Sequence, residues 1–186
     1  MNKKLLALLT MAVLTVSSFT LQAKDTKLVV AQNSDAKSLN PQISNDIPTH
    51  RVNINIYDRL IEKDKDMNLI PGLAESWEQA DPLTLILKIR KGVKFHNGDT
   101  MTAEDVKFSI DRARVSNQTA YLYKPITEVT VIDENTVKIT TEKPFGPLLT
   151  NLAQTQGCIV SKRAVQEVGE ENFFQHPVGT GQYKFK

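Results

Sequence analysis

The fold of this chain is decided by residues 83–112, which read LTLILKIRKGVKFHNGDTMTAEDVKFSIDR. Leucine or isoleucine occupies every second position from 83 to 89, and polar residues fill most positions between them. This alternation is typical of a β-strand with one buried face. The pair Asn97-Gly98 then indicates a tight turn, because both residues adopt positive φ angles at low cost. We therefore predict a strand that ends before a turn.

A capped helix is predicted directly after the turn. Thr102 is a typical N-cap residue, and Asp105 three positions later completes a capping-box pattern. Val106, Ile110 and Ala113 follow the spacing of a single helix face, so we expect them to pack against a core. The segment contains no catalytic motif, so we expect its role to be structural.

Short elements are predicted elsewhere from the same periodicities and from turn chemistry. Residues 51–60 fit both a helix and a strand by pattern. No internal repeat or low-complexity linker marks a domain boundary. The remaining predictions are a buried strand at 28–31, a loop at 34–48, hairpins at 60–70 and 129–141, and short helices within 144–157 and at 161–168.

Four blocks of sequence carry a family resemblance. They are PGLAESW at 71–77, LKIRKGVKFHNG at 87–98, TAEDVKFS at 102–109 and PVGTGQY at 177–183. Together they closely resemble the family 5 solute-binding proteins of bacterial ABC importers, the group that binds oligopeptides, dipeptides, glutathione and nickel. The resemblance favours a helix over residues 51–60. The chain departs from the family at Asp81-Pro82, which looks like a shortened hairpin loop.

The resemblance implies an α/β fold of the periplasmic binding protein type II kind, with two lobes that close around a solute. It implies a first-lobe segment at 24–55, a smaller family-specific subdomain at 56–176 with the signature block 71–112, and a return to the first lobe at 177–186. Family members are usually much longer, and this chain ends within an alternating, strand-like pattern. We therefore expect a partial first lobe plus the smaller subdomain, with the second lobe missing from this N-terminal fragment.

Residues 1–23 fit a secretory signal peptide. Lys3 and Lys4 form a basic start, an apolar run follows, and cleavage is expected near Ala23. A membrane anchor is disfavoured, because a spanning helix needs about 20 mostly apolar residues and polar residues interrupt this segment too early. We expect a periplasmic protein. The signal holds two of the 23 basic and none of the 21 acidic residues, so the mature chain is expected to be neutral.

The composition also limits the possible chemistry. A neutral chain without blocks of lysine and arginine does not favour nucleic-acid binding. Cys158 is the only cysteine, so no internal disulfide can form, and its apolar neighbours indicate a buried thiol. His50, His96 and His176 stand far apart, and no metal-ligand or nucleophile motif occurs. We therefore predict that the protein is not an enzyme and has no metal site and no cofactor. A nickel chelate stays among the alternative ligands, because some members of the resembled family bind one through few protein atoms.

The loop at Ser44–Thr49 supplies the first group of candidate ligand contacts. The resemblance at residues 39–41 implies that this loop lies at the edge of the cleft. Asn45, Asp46 and Thr49 could there bond a ligand's backbone amides or amino terminus. Simple solvation of the loop explains these polar residues equally well.

Two further groups complete the candidate set. Gly179, Thr180 and Gly181 belong to the segment that, by resemblance, re-enters the first lobe beside the cleft, where small residues let the backbone approach a ligand. A turn that changes the direction of the chain is an equal explanation. Tyr121 and Tyr123 follow the signature helix, where related proteins sometimes present a ring to the ligand, and core packing is the alternative.

The resemblance implies the periplasmic solute-binding component of an ABC importer, which binds peptides and delivers them to permease subunits in the inner membrane. We expect a monomer without a nucleic-acid partner. The alternatives are the same fold binding glutathione or a nickel chelate, and a self-contained secreted binding module.

Overall fold

The computed structural model describes residues 27–186, so the predicted signal peptide lies outside the described residues. Five α-helices and six strands occur in this range, with 3₁₀ turns at Thr155–Gly157 and Phe173–Gln175. The helices are α1 (Ile47–Ile56), α2 (Ala103–Val115), α3 (Ala120–Tyr123), α4 (Leu148–Leu152) and α5 (Lys162–Val168). The strands are β1 (Ile61–Lys63), β2 (Leu69–Pro71), β3 (Ala74–Asp81), β4 (Thr84–Ile89), β5 (Ile126–Asp133) and β6 (Thr136–Thr141).

An antiparallel sheet of order β3-β4-β6-β5 forms the centre of the unit Gln32–Lys186. Leu87 lies opposite Trp77 on one side and Val137 on the other, so apolar residues line the same face of neighbouring strands. Leu85, Leu87 and Ile89 are all buried, which confirms the predicted alternation for these three residues. Leu83 departs from it, because it lies in the turn before β4 and is exposed. The turn at Asp81-Pro82 joins β3 and β4 as a short hairpin, because the Asp81 carboxylate accepts the Leu83 N–H at 2.8 Å.

Helix α2 covers the apolar face of this sheet and packs against β5 and β6. It begins at Ala103, and the Asp105 carboxylate accepts the Thr102 backbone N–H at 2.9 Å, as expected for the predicted cap. Val106, Ile110 and Ala113 are buried. The predicted apolar face of the helix therefore packs against the sheet.

A second apolar cluster lies beside the sheet, where α1 and α5 approach the 3₁₀ turn at Phe173–Gln175. The rings of Tyr57 and Phe173 lie 6.4 Å apart between centroids and tilt by 47°. Cys158 belongs to this cluster and is fully buried, and burial raises the pKa of its thiol. The cysteine is therefore part of the core, as predicted.

The smaller elements begin and end near the predicted capping and turn residues. β1 and β2 form the first hairpin, and β5 and β6 form the second. α5 begins after Ser161, whose Oγ accepts the Ala164 N–H at 3.1 Å, and ends at Gly169 with φ +82°. α1 begins at Ile47, four residues before the ambiguous segment, because Asp46 and Pro48 start the helix there.

The predicted buried strand at 28–31 is wrong. Residues 27–31 form no strand, and Leu28, Val29 and Val30 are exposed. The alternating residues 183–186 are likewise outside any strand. A strand requires a neighbour that completes its hydrogen bonds, and an apolar or alternating pattern does not supply that neighbour.

Replacing Leu87 by alanine tests the position of the core. Leu87 is fully buried at the centre of the sheet, so we expect Leu87→Ala to lower the free energy of unfolding by about 2–5 kcal/mol. The matched control is Ile132→Ala in β5, where the side chain is 53% exposed and the expected loss is about 1 kcal/mol or less. Urea denaturation measures both, and equal losses would contradict this assignment.

Candidate ligand-binding site

Asp46 organises the start of α1. Its carboxylate accepts the Thr49 backbone N–H at 3.1 Å and the Ser44 hydroxyl, so it caps the helix. These two hydrogen bonds, that from Ser44 first, lower the pKa of the Asp46 carboxyl from 3.8 to about 2. Asp46 therefore stays ionised at neutral pH while it positions the loop that contains Asn45.

One face of α1 holds the preceding segment through side-chain hydrogen bonds. Thr49, Asn53 and Tyr57 recur every four residues, and each meets one residue of the segment 37–39. Thr49 Oγ1 accepts the N–H of residue 37 at 2.8 Å, and Tyr57 Oη donates to the carbonyl of residue 39 at 2.8 Å. Thr49 is fully buried, so its hydroxyl serves the chain itself.

A polar group lies where α1 begins. Gln156 Nε2 lies 3.0 Å from Asn45 Oδ1 and 3.3 Å from His50 Nε2. His50 Nε2 is also 3.3 Å from the Ser44 carbonyl oxygen. Gln156 is 3% exposed, whereas Asn45 is exposed. The buried glutamine therefore orients a surface asparagine.

No sequence pattern points to Gln156, and His50 stands alone in the sequence. Gln156 follows α4 and lies 111 residues after Asn45, so no spacing rule connects them. The 3₁₀ turn at Thr155–Gly157 brings Gln156 to the start of α1, and that contact exists only in the folded chain.

The predicted glycines lie against the last turn of α1. A β-carbon at Gly179 would lie 2.1 Å from the Ile56 carbonyl oxygen, and one at Gly181 would lie 2.6 Å from that of Asn55. The Gly181 N–H donates to the Ile56 carbonyl at 2.9 Å. The close approach permitted by these glycines is thus an approach to the protein's own backbone.

His96 and Asp58 hold the same segment from other directions. The His96 N–H donates to the Gly179 carbonyl at 2.9 Å, and His96 Nε2 lies 2.8 Å from the Gly181 carbonyl oxygen. Thr180 Oγ1 donates to Asp58 Oδ2 at 2.9 Å. Each residue of Gly179–Gly181 therefore has a structural partner.

The two tyrosines have different environments. Tyr121 is 61% exposed. Tyr123 is buried, its hydroxyl donates to the Asn151 carbonyl at 3.0 Å, and burial raises its pKa. A β-carbon at Gly157 would lie 2.8 Å from the Tyr123 hydroxyl, so Tyr123 supports the turn that carries Gln156.

The eight predicted residues do not converge on one place. Asn45, Asp46 and Thr49 lie at the start of α1, and Gly179–Gly181 lies against its end. The helix has ten residues, and at 1.5 Å per residue it separates the two groups by about 15 Å. Asn45 presents its carboxamide at the surface, where the buried Gln156 contacts it. Ligand contact stays a prediction for all eight residues.

Within residues 27–186, no cluster of three or more histidine, cysteine, aspartate or glutamate side chains has the arrangement needed to hold a metal ion. Over the same residues, every helix is too short or too polar to span a membrane.

Comparison with known proteins identifies the family. The sequence model described as bacterial extracellular solute-binding proteins, family 5 middle, matches residues 68–186. The chain belongs to this family. The predicted family resemblance and the α/β fold class are therefore confirmed.

Relatives share both sequence and fold with this chain. The glutathione-binding protein GsiB of Pectobacterium atrosepticum is 40% identical over 167 residues, which are 88% of this chain and 32% of the relative. DppA from Helicobacter pylori, solved with the peptide STSA, is 27% identical with a TM-score of 0.72, over 82% of this chain and 35% of that one. NikZ from Campylobacter jejuni, solved with Ni(L-His), is 30% identical with a TM-score of 0.72, over 82% of this chain and 31% of NikZ. The chain spans about a third of the length of these proteins.

Alanine at position 179 tests the contact between the glycine segment and α1. Because the added β-carbon would overlap the Ile56 carbonyl, we expect Gly179→Ala to lower the free energy of unfolding by about 1–3 kcal/mol. Gly146→Ala is the control, since no atom lies within 4 Å of its added β-carbon, and we expect a change within about 1 kcal/mol. Denaturation measures both, and a tolerated Gly179→Ala would refute the contact.

The cap at Asp46 predicts a pH dependence of stability. The folded-state pKa is lowered from 3.8 to about 2, so the ionised carboxylate stabilises the fold above about pH 4, and this contribution is lost as the pH falls toward 2. Asp46→Asn keeps an N-cap residue but does not titrate. Thermal melts of both proteins should show a stability difference that shrinks over this range, and a difference independent of pH would contradict the assignment.

Proposed function

We propose that this chain is part of a periplasmic solute-binding protein that binds short peptides and delivers them to the permease of an ABC importer. Membership of family 5 supports this, and so does the likeness to DppA, which was solved with a peptide. The proposal includes the division into a first-lobe segment at 24–55, a subdomain at 56–176 and a return segment at 177–186. It also includes a monomer without catalytic activity.

The polar group at the start of α1 is the observation that carries the choice of a peptide. Peptide groups offer one N–H donor and one carbonyl acceptor, and carboxamide side chains match both. Gln156 donates to Asn45 Oδ1 at 3.0 Å, which orients the Asn45 carboxamide and leaves its Nδ2 donors for a ligand carbonyl. Because Gln156 is buried and held, the asparagine is preorganised before a ligand arrives.

Asp46 adds a charge to the same edge. Its lowered pKa keeps the carboxylate ionised throughout the neutral range. A negative charge next to Asn45 favours the ammonium group at a peptide's amino terminus over a neutral or anionic group. Asn45 and Asp46 are therefore the two predicted residues that we propose as ligand contacts, and exposed Tyr121 is a third candidate at a separate place.

Glutathione is a second candidate ligand, and the name of the relative GsiB favours it. Glutathione is a tripeptide with two carboxylates, so it shares the amide groups of ordinary peptides but carries more negative charge. The Asp46 carboxylate opposes that extra charge unless cationic residues elsewhere compensate for it. This difference makes the two ligands separable by experiment.

A ligand screen of the full-length protein tests the proposal. Dipeptides, tripeptides, reduced glutathione and nickel-histidine are compared by thermal shift and then by calorimetry. A peptide present at 100 times its dissociation constant should stabilise the folded state by about 2.7 kcal/mol. A response to glutathione alone would move the assignment to the second candidate. No response to any peptide or to glutathione would overturn peptide binding.

Two substitutions test the proposed contacts. We expect Asn45→Ala and Gln156→Ala each to weaken peptide binding by about tenfold, because one or two hydrogen bonds to the ligand or to its receptor group are lost. Gln175→Ala is the matched control, since Gln175 is an exposed glutamine in the other 3₁₀ turn. Calorimetry gives the dissociation constants, and unchanged binding in both site variants would remove Asn45 and Gln156 from the site.

A further inference from the structure

Much of the loop at 38–46 is buried although it has no regular secondary structure, and within it only Ile43 and Asn45 are exposed. Ser38, Asn40, Pro41, Gln42 and Ser44 are all buried. A buried irregular segment must satisfy its polar groups through hydrogen bonds with other elements. Thr49, Asn53 and Tyr57 bond residues 37–39 in this way. The polar groups of the residues that follow need hydrogen-bond partners from another element.

Helix α2 supplies those partners. Gln42 Nε2 donates to the Ser109 carbonyl at 2.8 Å, and Ser116 Oγ donates to the Gln42 carbonyl at 2.6 Å. Arg112 Nη1 donates to both Asn40 Oδ1 at 3.0 Å and Gln42 Oε1 at 2.5 Å. Residues 40–42 are therefore tied to α2 by side-chain hydrogen bonds.

Arg112 is itself fixed in orientation. Its side chain is 10% exposed, and its guanidinium carbon lies 5.5 Å from the centroid of the Phe173 ring. Arg112 Nε and Nη2 donate to the Glu170 carboxylate, at 2.7 Å and 2.5 Å to the same Oε2 atom. This geometry requires the planar fork of a guanidinium, and a lysine ammonium cannot reproduce it.

A hollow lies beside this arginine. It has a volume of about 540 Å³ and is lined by Arg112, Glu170, Gln42, Ile43 and residues 115–118. On this side the loop is not held by a packed wall of side chains. The hydrogen bonds from α2 must therefore fix the position of the loop, as close packing does in a core. If they are lost, the loop can move into the hollow.

We propose that Arg112 is a positioning residue that presets the ligand-binding edge at Ser44–Asp46. Arg112 does not contact Asn45 or Asp46 but fixes Asn40 and Gln42, the latter only two residues before Ser44. Its effect on ligand affinity rests on the peptide-binding function proposed above. Its effect on the ligand-free loop does not.

Amide hydrogen exchange of the ligand-free, full-length protein tests the positioning directly. With Arg112→Lys, the amides of Asn40 and of residues 42–46 should exchange about tenfold faster, because two charge-assisted hydrogen bonds to the loop are lost. The amides of β4 and β6 should not change. Arg114→Lys is the control: Arg114 lies on the same helix and bonds Asp111 and the Thr127 carbonyl, away from the loop. Unchanged exchange at 40–46, or equal acceleration throughout the sheet, would overturn the proposal.

Glu170→Gln gives a second, milder variant in case Arg112→Lys does not fold. Glu170 is 57% exposed, so its substitution perturbs the orientation of Arg112 and not the core. We expect about threefold faster exchange at residues 40–46, since a charged bond becomes a neutral one. The same amides exchanging at the unaltered rate in this variant would also count against Arg112 as the positioning residue.

Binding of trialanine and reduced glutathione separates this proposal from the proposed function. If the loop is competent for only a fraction of the time, the apparent dissociation constant is the intrinsic constant divided by that fraction. We expect about a tenfold increase with Arg112→Lys and none with Arg114→Lys. Failure of the unaltered protein to bind either probe would refute the proposed function, and hydrogen exchange would still decide the role of Arg112. Normal binding by Arg112→Lys would overturn the positioning role.

Discussion

Burial of an irregular loop is the constraint on which the candidate site depends. Ser38, Asn40, Gln42 and Ser44 bring polar groups out of water, and such groups are costly unless each finds a partner. Two helices meet this demand: α1 through Asn53 and its C-cap Tyr57, and α2 through Arg112 and its neighbours. The loop therefore combines the apolar contact of Leu39 with directional hydrogen bonds, and the directional bonds specify one geometry.

The same principle distinguishes structural residues from those available to a ligand. Thr49 uses its hydroxyl to bond the backbone of residue 37. Gly179 and Gly181 pack directly against the backbone at the end of α1. Asn45 is different, because a buried glutamine orients it while it stays at the surface. Residue type suggested ligand contact for all of them. The partner that each residue has in the fold is what separates them.

The sequence predicted the local elements well because their causes are local. The alternation in β4, the cap of α2 at Thr102 and the stop of α5 at Gly169 depend on residues within one turn or one strand. The strand expected at 28–31 is absent because pairing depends on another segment. Gln156 and Arg112 escaped notice for the same reason, since their partners are 111 and about 70 residues away.

By itself, the sequence determined the family and the α/β class through the resemblance of its four sequence blocks. It also determined the order and approximate limits of most elements, because periodicity, capping and turn chemistry act between near neighbours. The tertiary structure alone decided which polar residues meet. It joined Gln156 to Asn45, placed the glycine segment against the end of α1, and fastened the loop to α2 through Arg112. Such pairings arise only when packing brings distant segments within hydrogen-bond distance, which the spacing of residues along the chain does not encode.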